Sequence, residues 1–247
     1  MIVLLMAFLV SFLATLGVIR WHRFHGHLSA DDDFSGVQKF HRHSVSRVGG
    51  VGVALGLVAA ALVLWLDGRS IAREFALLLA AGIPAFAGGL AEDVTKRVGV
   101  GARLLLTMGA AALGFWLLGA MLTRVDVPLV DDLLRYGPVA LLFTAVAVGG
   151  VANAINIIDG FNGLAGMVGV MILSALGYVA YVLGDHLLWN VCIASVGALL
   201  GFFLWNYPRG LIFLGDGGAY LVGFLIGEVS VLLVGRHPEV SAWFPML

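Results

Sequence analysis

The sequence predicts an all-α integral membrane protein, a polytopic helix bundle with about eight transmembrane helices. Hydrophobic residues make up 61% of the 247 and charged residues 12%, whereas a soluble domain holds about 45–50% and 25%. Mean hydropathy is +1.02. The apolar residues are gathered into long continuous runs, and a helix needs about 20 such residues to cross the hydrocarbon core. A β-barrel would show alternating segments of about ten residues instead.

Taken in order, the expected spans are 2–20, 48–66, 74–91, 101–122, 138–156, 164–183, 189–205 and 218–234. The first, within MIVLLMAFLVSFLATLGVIRWHR, begins apolar, with neither a basic leader nor a cleavage site, and reads as a retained helix. Loop charge orients the rest. The first and third loops carry Arg20, Arg23, Lys39, Arg42, Arg47, Lys96, Arg97 and Arg103, eight cations against four in the second and fourth, Arg69, Arg73, Arg124 and Arg135. The odd-numbered loops are therefore expected in the cytoplasm and the N-terminus outside. Glycine is abundant, at 34 residues, as suits helices that approach closely in lipid. Cys192, the single cysteine, excludes an internal disulfide and reads as a buried filler. The net charge of −1 points to no particular partner, and none of nucleic acid is expected. Asp126, Asp131 and Asp132 read as solvated outer-loop acids. Glu228, inside the last run, reads as a packing residue.

Polar residues interrupt this pattern in four places, all in odd-numbered loops. In NAINIIDGFNGLAG (153–166), Asn153, Asn156 and Asp159 are spaced by three and share a helical face, with Gly160 and Gly163 opening the backbone behind them. Amides and a carboxylate are groups that hydrogen-bond a sugar, a ribose or a nucleobase; a capped helix end is the plainer alternative. In IFLGDGGAYLVG (212–223), Asp216 either caps the last helix or offers hard oxygen to a magnesium ion. In GGLAEDVTKRVGVGARLL (88–105), the adjacent Glu92 and Asp93 can serve as a base or share a cation, and the plainer alternative is that Asp93 caps a helix or pairs with Lys96 or Arg97. The first loop holds KFHRHSVSRVGGVG (39–52), whose Lys39, His41, Arg42, His43 and Arg47 suit a diphosphate or anionic headgroups.

In this order, the four segments resemble the polyprenyl-phosphate N-acetylhexosamine-1-phosphate transferase superfamily, over residues from about 33 to 234. The resemblance is strongest to its bacterial undecaprenyl-phosphate GlcNAc-1-phosphate transferase branch, and weaker to the phospho-MurNAc-pentapeptide transferases. It implies a magnesium- or manganese-dependent transfer of a sugar-1-phosphate from a UDP-N-acetylhexosamine to undecaprenyl phosphate, with release of UMP. It further implies a single transferase domain over 1–247 in a bacterial inner membrane, a cytoplasmic active site and a homodimer. The pathway would start O-antigen, lipopolysaccharide or other envelope glycans. By the same resemblance Asp216 is a magnesium ligand, with Asp159 a second candidate. Glu92, Asp93 and Asp159 are catalytic. Lys39, His41, Arg42, Arg47, Asn153, Asn156 and Asn162 are substrate-binding.

Asn162 stands where many members of the family have an aspartate, and the chain departs from the family in three further respects: Glu92 replaces an aspartate, Ser44 and Ser46 stand where prolines are frequent, and the family continues further. The family has ten or eleven helices and a His-rich loop, whereas this sequence ends at Trp243–Leu247, so further helices are expected beyond it. A cation-coupled transporter is the rival from another class, although its acids would sit at mid-membrane rather than at loop boundaries.

Overall fold

A computed structural model describes residues 1–25 and 45–244, with the side chains of 22–25 excepted. The elements are α1 (Ile2–His25), α2 (Gly50–Leu66), α3 (Ala72–Thr95), α4 (Val100–Leu118), α5 (Pro128–Leu134), α6 (Gly137–Ile158), α7 (Leu164–Val182), α8 (His186–Asn206) and α9 (Gly215–Arg236). The protein is an all-helical polytopic bundle. Among the described residues, seven helices are long and apolar enough to cross a membrane, and α2 is an eighth apolar helix of 17 residues.

Each expected span falls on one of these helices, but several ends move. α3 runs on to Thr95 and carries Glu92 and Asp93 in its last turns rather than in a loop. α4 stops at Leu118, short of residue 122, because Gly119 turns left-handed at φ 71°. The seven-residue α5, started by Pro128, was outside the span count because it is too short to show a helical period. Within it, Asp131 accepts the Val125 amide at 2.6 Å, so that acid braces the preceding loop rather than being merely solvated.

α9 is the axis of the bundle. Of its apolar window 94% is buried inside the protein, against 28% for α1 and α4. It packs on α3 and α6 and touches α2, α4, α7 and α8, while α1 lies outside against α2 and α8. Close approach comes from small residues: a Cβ at Gly223 would run into the Ala152 backbone of α6. Outer helices turn leucines and aromatics such as Leu9, Leu62 and Trp116 outward, as lipid requires. Glu228 is fully buried in α9, its carboxyl lying over Gly114 of α4 with neither oxygen hydrogen-bonded.

Ionic contacts gather where α9 ends. Arg236 reaches Glu74 at 2.7 Å and Asp185 at 3.4 Å, and His237 Nε2 stands 3.1 Å from Asp185. Asp185 also caps α8 by accepting the Leu188 amide. Burial works to raise the Asp185 carboxyl, but that amide, His237 and Arg236 together hold it below the usual carboxylate range. Arg124 donates to the Val240 carbonyl at 2.5 Å and pairs with Asp126 at 2.8 Å, and Asp126 accepts from Ser241 and the Ala242 amide. Asp126 is therefore a clasp between the loop before α5 and the segment after α9, not a solvated loop acid.

Candidate active site at the start of the ninth helix

The opposite end of α9 is where the polar motifs meet. A helix start leaves its first amides without intrahelical partners, and the α9 N-cap residue, Leu214, supplies no side-chain acceptor. Carboxylates from other helices fill that need. Asp159, at the end of α6, accepts the Gly215 amide at 3.1 Å. Asp93, in the last turns of α3, accepts the Asp216 amide at 2.9 Å on one oxygen and the Gly217 amide at 2.8 Å on the other. Three successive amides are thus capped from two other helices, with the positive end of the helix dipole adding to the attraction. Asp216 is not the cap. It lies in the first turn and is free to point its carboxylate elsewhere.

The Asp216 carboxylate is held on both sides. Oδ1 accepts Asn156 Nδ2 at 2.8 Å, and Oδ2 is ion-paired with Arg103 from the first turn of α4. The Arg103 guanidinium also lies 5.6 Å from the Tyr220 ring centroid, within cation–π range. The Tyr220 hydroxyl donates to Asn153 Oδ1 at 3.3 Å.

Two glycines allow this crowding. Gly215 has φ 75°, and a Cβ there would meet the Arg47 carbonyl and lie 2.8 Å from Asp93 Oδ2. At Gly89 a Cβ would stand 2.5 Å from the Asp216 backbone. The stretch before α2 runs alongside the stretch before α9, with Phe213 N–H donating to Ser46 O and Gly49 N–H to Phe213 O. That pairing brings Arg47 to the site.

Burial raises the Asp159 carboxyl to about 8, a rise that the Gly215 amide opposes, neighbouring Asp93 reinforces and the Arg47 charge opposes. Near neutral pH this group can hold or release a proton.

Other expected site residues are placed differently. Glu92 turns away to accept the Val98 amide at 2.6 Å, bracing the loop after α3. Asn162 donates to the Pro208 carbonyl at 3.5 Å. Lys39, His41 and Arg42 lie outside the described residues. Two contributors were not singled out from the sequence. Arg103 looks like one more loop cation at the mouth of an apolar run. Asn206, 3% exposed, accepts the Gly163 amide at 2.5 Å and donates to the Ile212 carbonyl at 2.8 Å, tying the start of α7 to the segment entering α9. Its one signal was an amide at the apolar end of a span.

The carboxylate oxygens of Asp216 and Asp159 are hard donors of the kind that suits magnesium or manganese, while the Arg103 guanidinium and the Asn156 Nδ2 group face Asp216 with N–H. Among the described residues no three acidic, histidine or cysteine groups stand close enough to hold a metal ion as they are. The donor chemistry fits a divalent cation on Asp216 and Asp159, provided that Arg103 yields its place.

The fold and these groups define a polytopic membrane protein with a carboxylate-rich site at one end of its central helix. Residues 75–234, from α3 through α9, match the family described as glycosyl transferase family 4, and the chain belongs to that family. It is 36% identical over 101 residues to a phospho-N-acetylmuramoyl-pentapeptide-transferase of Lactiplantibacillus plantarum, covering 41% of this chain and 30% of that one. Over 204 residues it is 29% identical to a probable undecaprenyl-phosphate N-acetylglucosaminyl 1-phosphate transferase of Bacillus subtilis, covering 83% of this chain and 55% of that one. The chain thus spans about a third to a half of the length of these curated relatives.

Proposed function

We propose that this chain carries the catalytic core of a magnesium-dependent transferase acting at the cytoplasmic face of a bacterial inner membrane. It moves a sugar-1-phosphate from a UDP-N-acetylhexosamine to undecaprenyl phosphate and releases UMP. The observation that carries the reading is the convergence of Asp93, Asp159 and Asp216 on the first turn of one buried helix, within the residues matched to the family.

In this reading a phosphate oxygen of the lipid attacks the sugar-linked phosphorus, and the bond to UMP breaks. Asp216 and Asp159 would hold the divalent cation, which when bound neutralises charge on the diphosphate. The remaining work is positioning and electrostatics. Asp93, 2% exposed and with both oxygens on amides, fixes the start of α9 and so aims Asp216. Asp159 gives one oxygen to the Gly215 amide, which holds it beside the first turn of α9. Asn156 orients Asp216, and Arg47 supplies positive charge beside Asp159 for the diphosphate.

A second donor is favoured by the likeness to phospho-N-acetylmuramoyl-pentapeptide-transferases: UDP-MurNAc-pentapeptide. Purified protein with undecaprenyl phosphate and a panel of labelled UDP-sugars decides between them. Labelled lipid from UDP-GlcNAc or a related hexosamine, with none from the pentapeptide donor, is the expected result. The reverse pattern moves the chain to the peptidoglycan branch. Uptake into proteoliposomes without UMP release would instead indicate a transporter.

A further inference from the structure

Arg103 carries a feature that the site described above leaves unexplained. Its side chain is buried, with the residue 8% exposed, and it is ion-paired with Asp216 and set over Tyr220. Its Nε–H is also buried, and it has no hydrogen-bond partner. A buried donor left unsatisfied is costly, and a guanidinium donor more so. Such groups are rare in native proteins and call for a missing partner. The partner must be an acceptor, and beside a cation in a site built for a diphosphate an anionic oxygen is the best match. Guanidinium presents its N–H groups as a planar fork that fits phosphate oxygens.

We propose that Arg103 is a phosphate-binding residue that shields Asp216 until a divalent cation arrives. Guanidinium and cation compete for Asp216 Oδ2. When the cation takes that oxygen, the released fork, with its unused Nε–H, binds a phosphoryl oxygen of the substrate. The exchange keeps a partner on Asp216 in both states, and it links cation binding to capture of the phosphate. This inference rests on the reading of Asp216 as a cation ligand.

The test uses the full chain in nanodiscs, with Mn2+ binding followed by electron paramagnetic resonance and UMP binding followed by calorimetry at saturating Mn2+. An internal competitor lowers apparent affinity by the fraction of time it occupies the site. Arg103→Gln should therefore bind Mn2+ about tenfold more tightly than wild type and UMP about tenfold more weakly. Equal Mn2+ affinity in the two proteins, or unchanged UMP affinity, overturns the exchange while leaving the cation site intact. Wild-type protein that binds no Mn2+ contradicts the cation reading itself and the exchange with it. Should Arg103→Gln fail to fold, Arg103→Lys serves, because it keeps the charge and loses the fork. Its Mn2+ affinity should stay within about threefold of wild type while UMP weakens about tenfold; undiminished UMP affinity overturns the proposal.

Discussion

Asp93 and Asp216 are both aspartates at the edge of an apolar run, yet their surroundings give them different work. Asp93 has both oxygens on backbone amides of α9 and is almost fully buried. Asp93→Ala would leave the Asp216 and Gly217 amides unpaired, and charge-assisted bonds of this kind contribute roughly 1.5–3 kcal/mol each. Thermal melts in detergent should show a clearly lowered midpoint, together with lost activity; a midpoint equal to wild type would remove the capping role. Asp185 at the other end offers a pH test. Its folded pKa lies below the ordinary carboxylate value of about 3.9, so its contribution is full above that pH and fades as pH falls through the folded value. The melting advantage of wild type over Asp185→Asn should be constant from about pH 5 to 7 and shrink below about pH 4. An advantage that grew in acid would contradict the sign. At this scale the sequence showed which residues stand out but not what they touch. Asp159 and Asp216 could be chosen because polar groups amid apolar runs are conspicuous. Glu92 drew equal attention beside Asp93, although one helical step turns it towards Val98 instead. Arg103 was hidden because a cation at a membrane boundary already has an ordinary topological explanation.

The helices themselves were legible because lipid imposes a length and a composition that few other structures share. Their ends were less so. α3 continues through its acidic pair, and α4 ends early at Gly119, because capping and tertiary contacts set ends that hydropathy averages over. Which helix lies at the centre was not legible either, since the hydropathy of α9, 1.9, lies in the middle of the range of the spans, 1.5 to 2.8; only its contacts single it out. Small residues set those contacts. Gly223→Val would push α9 off Ala152 of α6, and overpacking of this kind costs about 1–3 kcal/mol. A lower melting midpoint is the expected outcome, and an unchanged one would mean the two helices are not so closely apposed. Replacing an unsatisfied buried polar group by an apolar one of similar shape is neutral or stabilising. Glu228→Met should accordingly keep or raise the midpoint, since neither carboxyl oxygen has a partner. A large loss would reveal a function for that carboxyl.

For the whole molecule, charge placement and helix order both put the acids at one end of the bundle and the Arg236–Asp185–Glu74 contacts at the other. The loop-charge bias leads to the expectation that the acidic end faces the cytoplasm. Cys192 is buried and is the single cysteine, so one introduced cysteine reports its own location. In intact cells an impermeant maleimide should label Asp132→Cys and leave Arg97→Cys unlabelled, both positions being exposed; the opposite labelling would invert the bundle. The central claim is that the carboxylates gathered on the first turn of α9 serve a divalent cation in phosphoryl transfer. It is tested most directly by release of UMP from a UDP-N-acetylhexosamine in the presence of undecaprenyl phosphate, measured against magnesium concentration. Wild type should release UMP only with magnesium present, and Asp216→Asn should lose at least about 100-fold in rate. Release that persists in a chelator, or an Asp216→Asn protein as fast as wild type, would contradict the account.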